Sequence, residues 1–144
     1  MKSVCFNFGV ILAFSLSPAW AESIKLVINK QVITAEVAHT PESRRKGLMQ
    51  RKSLCPNCGM LFVFNKPDQL AFWMRDTPLP LSIAFIASDG EIINIEEMQP
   101  FSPAIHRAQK AALFALEMNR NWFTKKNILP VAFIKGLDQA PPSQ

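Results

Sequence analysis

The sequence has 144 residues, with 16 lysines and arginines against 11 aspartates and glutamates, and its formal net charge is +5. This length corresponds to one domain, which can bury a hydrophobic core without depending on disulfides or metals. The positive charges are scattered apart from clusters at 44–46, 51–52 and 125–126, so they mainly favour solubility. A basic patch that contacts an anionic lipid or polymer is the weaker alternative.

Residues 1–21 have the three parts of a cleaved secretory signal peptide. Lys2 gives a basic start, a mostly apolar stretch without charge follows over 4–16, and Ala19 to Ala21 form a small-residue cleavage site. The apolar stretch is shorter than the roughly 20 residues that span a bilayer. We therefore predict cleavage after Ala21 and a periplasmic or secreted domain, with no stable membrane anchor and no nucleic-acid partner.

The first part of the remaining chain predicts a hairpin and then a short helix. Residues 24–28 and 32–37 are rich in β-branched side chains and are separated by a turn, which is typical of a β-hairpin. Thr40 suits a helix N-cap and Pro41 suits the first helical position. The pattern predicts that this helix ends between residues 47 and 49.

The middle of the chain predicts a loop and two short strands. Residues 54–59 are dense in turn-forming residues, and an apolar stretch of strand length follows over 60–64. A second apolar stretch begins at Ala71. Pro78 and Pro80 then impose an extended or turning path on the backbone.

The last part predicts four more strands and a helical turn. Residues 82–87 and 91–96 flank a Ser-Asp-Gly turn, which indicates a second hairpin. Alternation in the second half of 111–118 favours a strand over a helix. Residues 121–126 suit a short helical turn, and 131–134 suit a last strand.

Together these elements indicate a mainly β or α+β fold. Six to eight short strands with one or two brief helices predict a compact, antiparallel sheet curled towards a barrel. We predict a single globular domain over 22–138. The composition of residues 139–144 predicts a disordered tail.

Three motifs, in order along the chain, resemble the domain of unknown function 192 family. They are Thr40-Pro41-Glu42 with Arg44, Gly47-Leu48-Met49 and Arg51; Gly59-Met60-Leu61-Phe62-Val63-Phe64; and Phe72-Trp73-Met74-Arg75-Asp76-Thr77 followed by Pro80-Leu81, Phe85-Ile86 and Asp89-Gly90. Leu116-Glu117 falls where that family has a leucine-glutamate pair in a late strand. The resemblance covers about residues 24–136. It implies a compact, mostly β, barrel-like domain, often exported in bacteria, with no established activity.

The chain departs from the family pattern at three places. Asp76 stands where the family usually has asparagine, and Ser82 stands where it often has aspartate. A glycine-aspartate turn before the last strand is missing, since residues 127–130 lead directly into Val131. A site that relies on an aspartate at position 82 would lack that group in this chain.

Cys55 and Cys58 are the most visible chemical feature. Cleavage of the signal peptide removes Cys5, and two thiols this close should form a disulfide in an oxidising compartment. A redox motif needs its thiolate at a helix N-terminus, whereas an apolar strand follows this pair. A zinc site needs four ligands, and His39 and His106 are each alone in sequence. We predict a structural disulfide and no metal or cofactor, with redox and metal roles as alternatives.

A second group of residues combines charged and aromatic side chains that suit a binding site. Arginine offers a planar set of donors for carboxylate or phosphate. Residues 75–77 follow an aromatic segment on a proline-framed loop, so they could border a pocket for a small anionic or sugar-like ligand. The candidate binding residues are Arg44, Arg51, Trp73, Arg75, Asp76, Thr77 and Glu117. The alternative is structural: the arginines bind loop carbonyls, Glu117 pairs with one of them, and Trp73 fills the core.

The residues available for catalysis are few. No serine lies in a nucleophile-elbow motif, and Glu96 and Glu97, adjacent on a predicted strand, should face opposite sides. The leading hypothesis is a non-catalytic periplasmic binding or accessory domain, with a pocket or docking surface near residues 72–77 for a small ligand or a periplasmic protein. The rival hypothesis is a small periplasmic enzyme, either a thiol redox factor or a hydrolase. For a hydrolase, Glu117 and an arginine should converge in an open cleft and not be buried as a pair.

Overall fold

The structure is a computed structural model that describes residues 22–144, so the predicted signal peptide lies outside the described residues. The strands are β1 (Ser23–Ile28), β2 (Gln31–Ala38), β3 (Cys58–Asp68), β4 (Ala71–Phe72), β5 (Leu81–Ile86), β6 (Ile92–Met98), β7 (His106–Arg107), β8 (Ala112–Asn119) and β9 (Ile134–Lys135). The helices are α1 (Pro41–Lys46), α2 (Trp122–Lys125) and a 3-10 turn at Leu137–Gln139. Within this part of the chain no helix is long and apolar enough to cross a membrane.

Seven strands form one curled sheet in the order β6-β5-β8-β3-β2-β1-β9, and β4 pairs with β7 in a separate ribbon. The pairs are antiparallel except that β2 runs parallel to β3. A parallel pair needs a long crossover connection, and α1 with the loop after it supplies one here. The predicted antiparallel sheet is therefore correct for every neighbouring pair but this one.

The two edges of the sheet meet beside the turn between β5 and β6. Glu91 forms an antiparallel bridge with Phe133. The backbone N–H of Ile92 donates to Ala132 O at 2.8 Å, and that of Ile134 donates to Gly90 O at 2.9 Å. These bonds hold the sheet as a half-barrel, which confirms the predicted mainly β, barrel-like fold with two short helices.

Side-chain alternation along β8 divides the core into two clusters. Leu116 and Met118 face the first cluster, which packs against β1, β2 and the buried Phe123. Ala115 faces the second cluster, which includes Phe62 and Phe85 and is covered by the loops after α1 and β4. Since β8 lies between β3 and β5, its side chains on the second face are surrounded by apolar groups.

Several predicted boundaries are confirmed by specific contacts. The Thr40 side chain accepts a hydrogen bond from Ser43 N at 3.1 Å, so it caps α1 as predicted. The helix ends at Gly47, whose φ of +48° lies in the region that favours glycine. The predicted hairpins, the strand at β8 and the helical turn at α2 are present as well.

Three elements differ from the sequence-based prediction. β3 spans Cys58–Asp68, so it is longer at both ends than the strand predicted over 60–64. The last strand was predicted over 131–134, but β9 begins at Ile134, because Val131 has a φ of +66° that no regular strand tolerates. The two-residue strand β7 was not predicted, because so short a segment has no hydrophobic period.

The final residues lie against the start of α1. Arg44 Nη1 donates to Ser143 Oγ at 2.8 Å, and the N–H of Gln144 donates to His39 O at 2.9 Å. His39 Nδ1 lies 3.3 Å from Pro142 O. The composition of 139–144 predicts a disordered tail. In the structure, residues 142–144 instead contact His39 and Arg44.

Gly59→Ala should destabilise the domain, because a Cβ at this position would clash with Glu117 O and Met118 Sδ on β8. We expect the free energy of unfolding to fall by about 1–3 kcal/mol, as for other overpacked sites. Urea denaturation measures this change. The exposed substitution Ser53→Ala serves as control and should change stability by less than about 0.5 kcal/mol. Equal stability of the two variants would refute the close approach of β3 and β8.

Candidate functional site

Glu117 is a buried acid at the centre of the sheet. It lies on β8 between Met60 of β3 and Ile83 of β5, and it is only 5% exposed. Among the described residues, no side chain forms an ion pair or a hydrogen bond with its carboxyl group, and burial alone raises the pKa of Glu117 to about 8. The group is therefore mostly protonated at neutral pH.

An open cavity of about 440 Å³ reaches this carboxyl group. Its size falls within the range of small-molecule sites. We call it the Glu117 pocket, and its lining residues come from four segments of the chain: Pro41, Arg44, Arg45, Lys46, Gly47, Leu48, Met49, Phe62, Phe64, Ala71, Phe72, Trp73, Thr77 and Glu117. Most of these side chains are apolar or aromatic, with cations on α1.

Phenylalanines form one wall of the Glu117 pocket. The ring of Phe72 packs edge-to-face against Phe62, with centroids 4.9 Å apart, and against Phe85 at 5.9 Å. Phe64 lies 6.3 Å from Phe72 in a similar geometry. Such pairs stabilise each other beyond their buried area, so this wall has a fixed shape.

Arg44 holds the rim of the pocket in place. Its Nη1 donates to His39 O at 2.6 Å and to Val63 O at 3.0 Å, and its guanidinium stacks on Phe64 at 5.2 Å. Arg44 therefore binds backbone carbonyls, which is the structural alternative given for it in the sequence analysis. Arg45 and Lys46 are exposed and form no side-chain hydrogen bond with a described residue, so they make this rim basic.

The loop over residues 73–77 forms the opposite rim. Thr77 is buried, and its hydroxyl donates to Arg75 O at 3.2 Å. Asp76 has a φ of +54°, and its carbonyl accepts a hydrogen bond from Gln50 N at 2.8 Å. Aspartate and asparagine adopt this left-handed conformation more readily than most residues. The usual asparagine of the family and Asp76 therefore satisfy the same backbone requirement.

The structure gathers most of the predicted binding residues in one region. Arg44, Trp73, Thr77 and Glu117 line the Glu117 pocket. Arg75 and Asp76 border a second cavity that also has Trp73 in its lining. No ion pair between Glu117 and an arginine occurs in residues 22–144, so the acid opens on a cleft and is not buried as a pair.

Arg51 is the predicted residue that lies elsewhere. Its two terminal nitrogens donate to the two carboxylate oxygens of Glu36 at 2.8 and 2.5 Å. This hydrogen bonding raises the pKa of Arg51 above its ordinary value. The pair connects the loop after α1 to β2, which is a structural role.

The phenylalanine wall was not predicted from the sequence, whereas the basic cluster at 44–46 was already visible there. Phe62 and Phe64 belong to a stretch that was interpreted as a continuous apolar strand. They occupy alternate positions, and this period of two could have placed both on one face of β3. Nothing in the local pattern indicates that Phe72 meets them, because the contact joins separate elements.

Ser82 and Glu97 form a polar link beneath α2. Ser82 Oγ donates to Glu97 Oε2 at 2.7 Å and accepts from Asn121 N at 2.8 Å. Glu96 instead lies 2.7 Å from His106 Nδ1, so the two adjacent glutamates face opposite sides as predicted. Ser82, which stands where the family often has aspartate, therefore binds the backbone at the start of α2. It does not line the Glu117 pocket.

The sulfurs of Cys55 and Cys58 lie at disulfide-bonding distance, with Cα atoms 5.1 Å apart. Cys58 begins β3, so the pair precedes a strand and not a helix. Asn119 Nδ2 donates to Cys55 O at 2.9 Å, which connects this loop to the end of β8. Within residues 22–144 no group of three His, Cys, Asp or Glu side chains is arranged to hold a metal ion.

Comparison with known proteins identifies the family of this chain. It belongs to the DUF192 family, described as uncharacterized ACR, whose model matches residues 24–134. No curated protein matches the chain.

Two solved structures share the fold. A protein from Sinorhizobium meliloti 1021, proposed to be a transcription regulator, is 34% identical with a TM-score of 0.74, and the match covers 79% of this chain and 92% of that one. A protein of unknown function from Novosphingobium aromaticivorans DSM 12444 is 30% identical with a TM-score of 0.72, covering 79% and 84%.

The motifs that carry the family resemblance meet at the Glu117 pocket. The first motif contributes Arg44 and residues 47–49, the second contributes Phe62 and Phe64, and the third contributes residues from 72 to 77. Glu117 itself belongs to the late-strand pair. Segments far apart in sequence therefore surround one carboxyl group.

The stability of the domain should fall as pH rises from about 5 to 8. Because the folded state raises the pKa of Glu117 from 4.5 to about 8, it binds this proton more tightly than the unfolded chain does. At about 1.36 kcal/mol per unit, the loss approaches roughly 4 kcal/mol. Urea denaturation across this pH range measures it. The difference in free energy of unfolding between wild type and Glu117→Gln, followed against pH, isolates the contribution of Glu117. A difference that stays constant with pH would contradict the prediction.

Replacing both Cys55 and Cys58 by serine should reduce the free energy of unfolding by about 2 kcal/mol, the stabilisation expected for so short a loop. The measurement is denaturation of oxidised wild type beside the double variant. We also expect the oxidised pair to resist glutathione buffers, as structural disulfides do. Equilibration within the glutathione range would instead support the redox alternative.

Proposed function

We propose that this protein is an exported, non-catalytic binding domain whose Glu117 pocket takes a small, hydroxyl-bearing, sugar-like ligand. Export rests on the signal-peptide pattern of residues 1–21. The observation that supports binding is the Glu117 carboxyl group, which is buried beside a cavity without a protein partner. Because no described side chain pairs with this carboxyl group at the cavity, a ligand that supplies hydroxyl groups can form hydrogen bonds with it.

The composition of the pocket favours this class of ligand. Aromatic side chains bind the apolar face of a ring, and a few polar groups fix its orientation. A protonated carboxyl group can donate to one hydroxyl and accept from another. The cations Arg45 and Lys46 on the rim would attract an anionic substituent.

Arg44 and Glu117 line one open cavity, as expected for a hydrolase, but the other groups of the lining favour binding over hydrolysis. Its lining contains a single carboxyl group, whereas most glycoside hydrolases use two. The hydroxyl of Thr77, also in the lining, already donates to a backbone carbonyl. Cys55 and Cys58 lie outside this lining, and Cys58 begins a strand. Their position therefore supports a structural disulfide over a thiol redox site.

A panel of monosaccharides, sugar acids, polyols, nucleosides, amino acids and fatty acids tests this proposal by thermal melting. At about 100 times its Kd, a bound compound adds about 2.7 kcal/mol, so we expect a sugar-like compound to raise Tm by at least about 5 °C. Glu117→Met keeps the volume and removes the polar group, and it should weaken binding about tenfold or more. Glu117→Gln should weaken it less, because an amide also donates and accepts.

The matched control is Glu22→Gln, an exposed glutamate, which should leave the ligand-induced shift unchanged. If no compound shifts Tm of the wild-type protein, the small-ligand proposal is wrong and protein docking remains. If only non-sugar compounds bind and Glu117→Met abolishes their effect, the pocket is correct and the ligand class is wrong.

A further inference from the structure

A second cavity adjoins the Glu117 pocket. It has a volume of about 310 Å³ and is lined by Trp73, Arg75, Asp76, Phe101 and Pro103; we call it the Phe101 hollow. Trp73 lines both cavities, and its side chain is 46% exposed. One exposed indole therefore borders two adjacent sites.

The backbone of the Phe101 hollow is held in an unfavourable conformation. Phe101 has a φ of +58°, which is rare for a bulky residue, and its ring is 64% exposed. Two hydrogen bonds between the loops hold this arrangement, from Phe101 N to Thr77 O at 3.1 Å and from Met74 N to Ser102 O at 3.2 Å. Strain that the surrounding structure maintains is typical of ligand-binding sites.

The charges around the two cavities are mainly positive. Arg45 and Lys46 stand at the rim of the Glu117 pocket, and Arg75 stacks on Trp73 at 5.4 Å with its guanidinium exposed. Among the described residues, Asp76 is the only acidic one that lines the Phe101 hollow. An anionic ligand would therefore find complementary charge along both sites.

We infer that the Glu117 pocket and the Phe101 hollow are two subsites for consecutive units of a carboxylate-bearing oligosaccharide. This inference rests on the proposed function and names its ligand class. The faces of a sugar ring carry C–H groups that pack on aromatic rings, here Trp73 and Phe101. The hydroxyls at its edge suit Asp76 and Glu117, and its carboxylate suits the planar donors of Arg75.

A single-stranded nucleic acid could also use aromatic stacking and arginine. A DNA strand is disfavoured because its internal units carry no free hydroxyl to pair with Glu117, and because Asp76 would face its phosphates. The observations therefore favour an oligosaccharide, and binding of a nucleic acid is tested as the alternative result.

Calorimetry with galacturonic acid oligomers of one to four units tests the inference. Neutral malto-oligosaccharides of equal length and a four-nucleotide thymidine oligomer serve as comparison ligands. We expect the acidic trimer to bind at least tenfold tighter than the acidic monomer and tenfold tighter than the neutral trimer. Its affinity should fall as salt rises, because screening weakens the ion pairs.

Two substitutions separate the subsites. Trp73→Ala should weaken monomer and trimer alike, since the indole borders both cavities. Phe101→Gly relieves the strained φ, so the loop keeps its conformation while losing the ring; it should weaken the trimer about tenfold and leave the monomer unchanged. Phe133→Ala, an exposed phenylalanine at the barrel edge, is the matched control and should change neither affinity.

Several outcomes would overturn the inference. Equal affinity of acidic monomer and trimer, or no effect of Phe101→Gly, refutes the second subsite while leaving the Glu117 pocket in place. Tighter binding of the neutral trimer or of the thymidine oligomer refutes the ligand class. If no sugar binds in calorimetry, this inference is wrong. The Glu117 pocket would still be a binding site if a non-sugar compound raised Tm and the shift depended on Glu117. If no compound binds in either experiment, the proposed function itself is wrong.

Discussion

The burial of one carboxyl group without a partner is the constraint on which this account depends. Glu117 lies on the central strand β8 with a strand on each side, and it is only 5% exposed. An ionised carboxylate there would lose its hydration without gaining a cation, and the group therefore keeps its proton. The fold tolerates this cost at a place that opens on a cavity, which is where a ligand could relieve it.

The surroundings of Glu117 are rigid for separate physical reasons. The Phe62–Phe72 contact fixes one wall by edge-to-face packing. Arg44 fixes the α1 rim by donating to carbonyl groups of two segments. The backbone bond from Gln50 to Asp76 joins the loop after α1 to the loop after β4. A site built this way keeps its shape before any ligand arrives, which reduces the entropy lost on binding.

Local signals in the sequence predicted much of the fold. The N-cap at Thr40, the Asp-Gly turn at 89–90 and the alternation along 113–118 each depend on neighbouring residues, so a single sequence contains them. The parallel pairing of β2 with β3 and the bridge between Glu91 and Phe133 depend on residues far apart in the chain. The hydrophobic pattern within one element does not determine which distant element it pairs with. The β2–β3 pairing and the Glu91–Phe133 bridge could therefore not be predicted from the sequence.

The same distinction applies to the candidate site. Trp73, Arg75, Asp76 and Thr77 form one continuous loop, and their proximity followed from the sequence. Glu117 was connected to them only through the family resemblance, and its lack of a partner required the structure. Arg51 looked equivalent to Arg44, but its partner Glu36 lies on another strand. Composition alone does not distinguish an arginine that donates to backbone carbonyls from one that pairs with a carboxylate.

The protonation state of Glu117 can be measured directly. NMR of protein labelled with ¹³C at the glutamate side chains follows each carboxyl carbon through a pH titration, and Glu117→Gln assigns the resonance by its loss. We predict a midpoint near 8 for Glu117 in the free protein. A midpoint near the ordinary value of 4.5 would show that the carboxylate is solvated or paired, and would contradict the account.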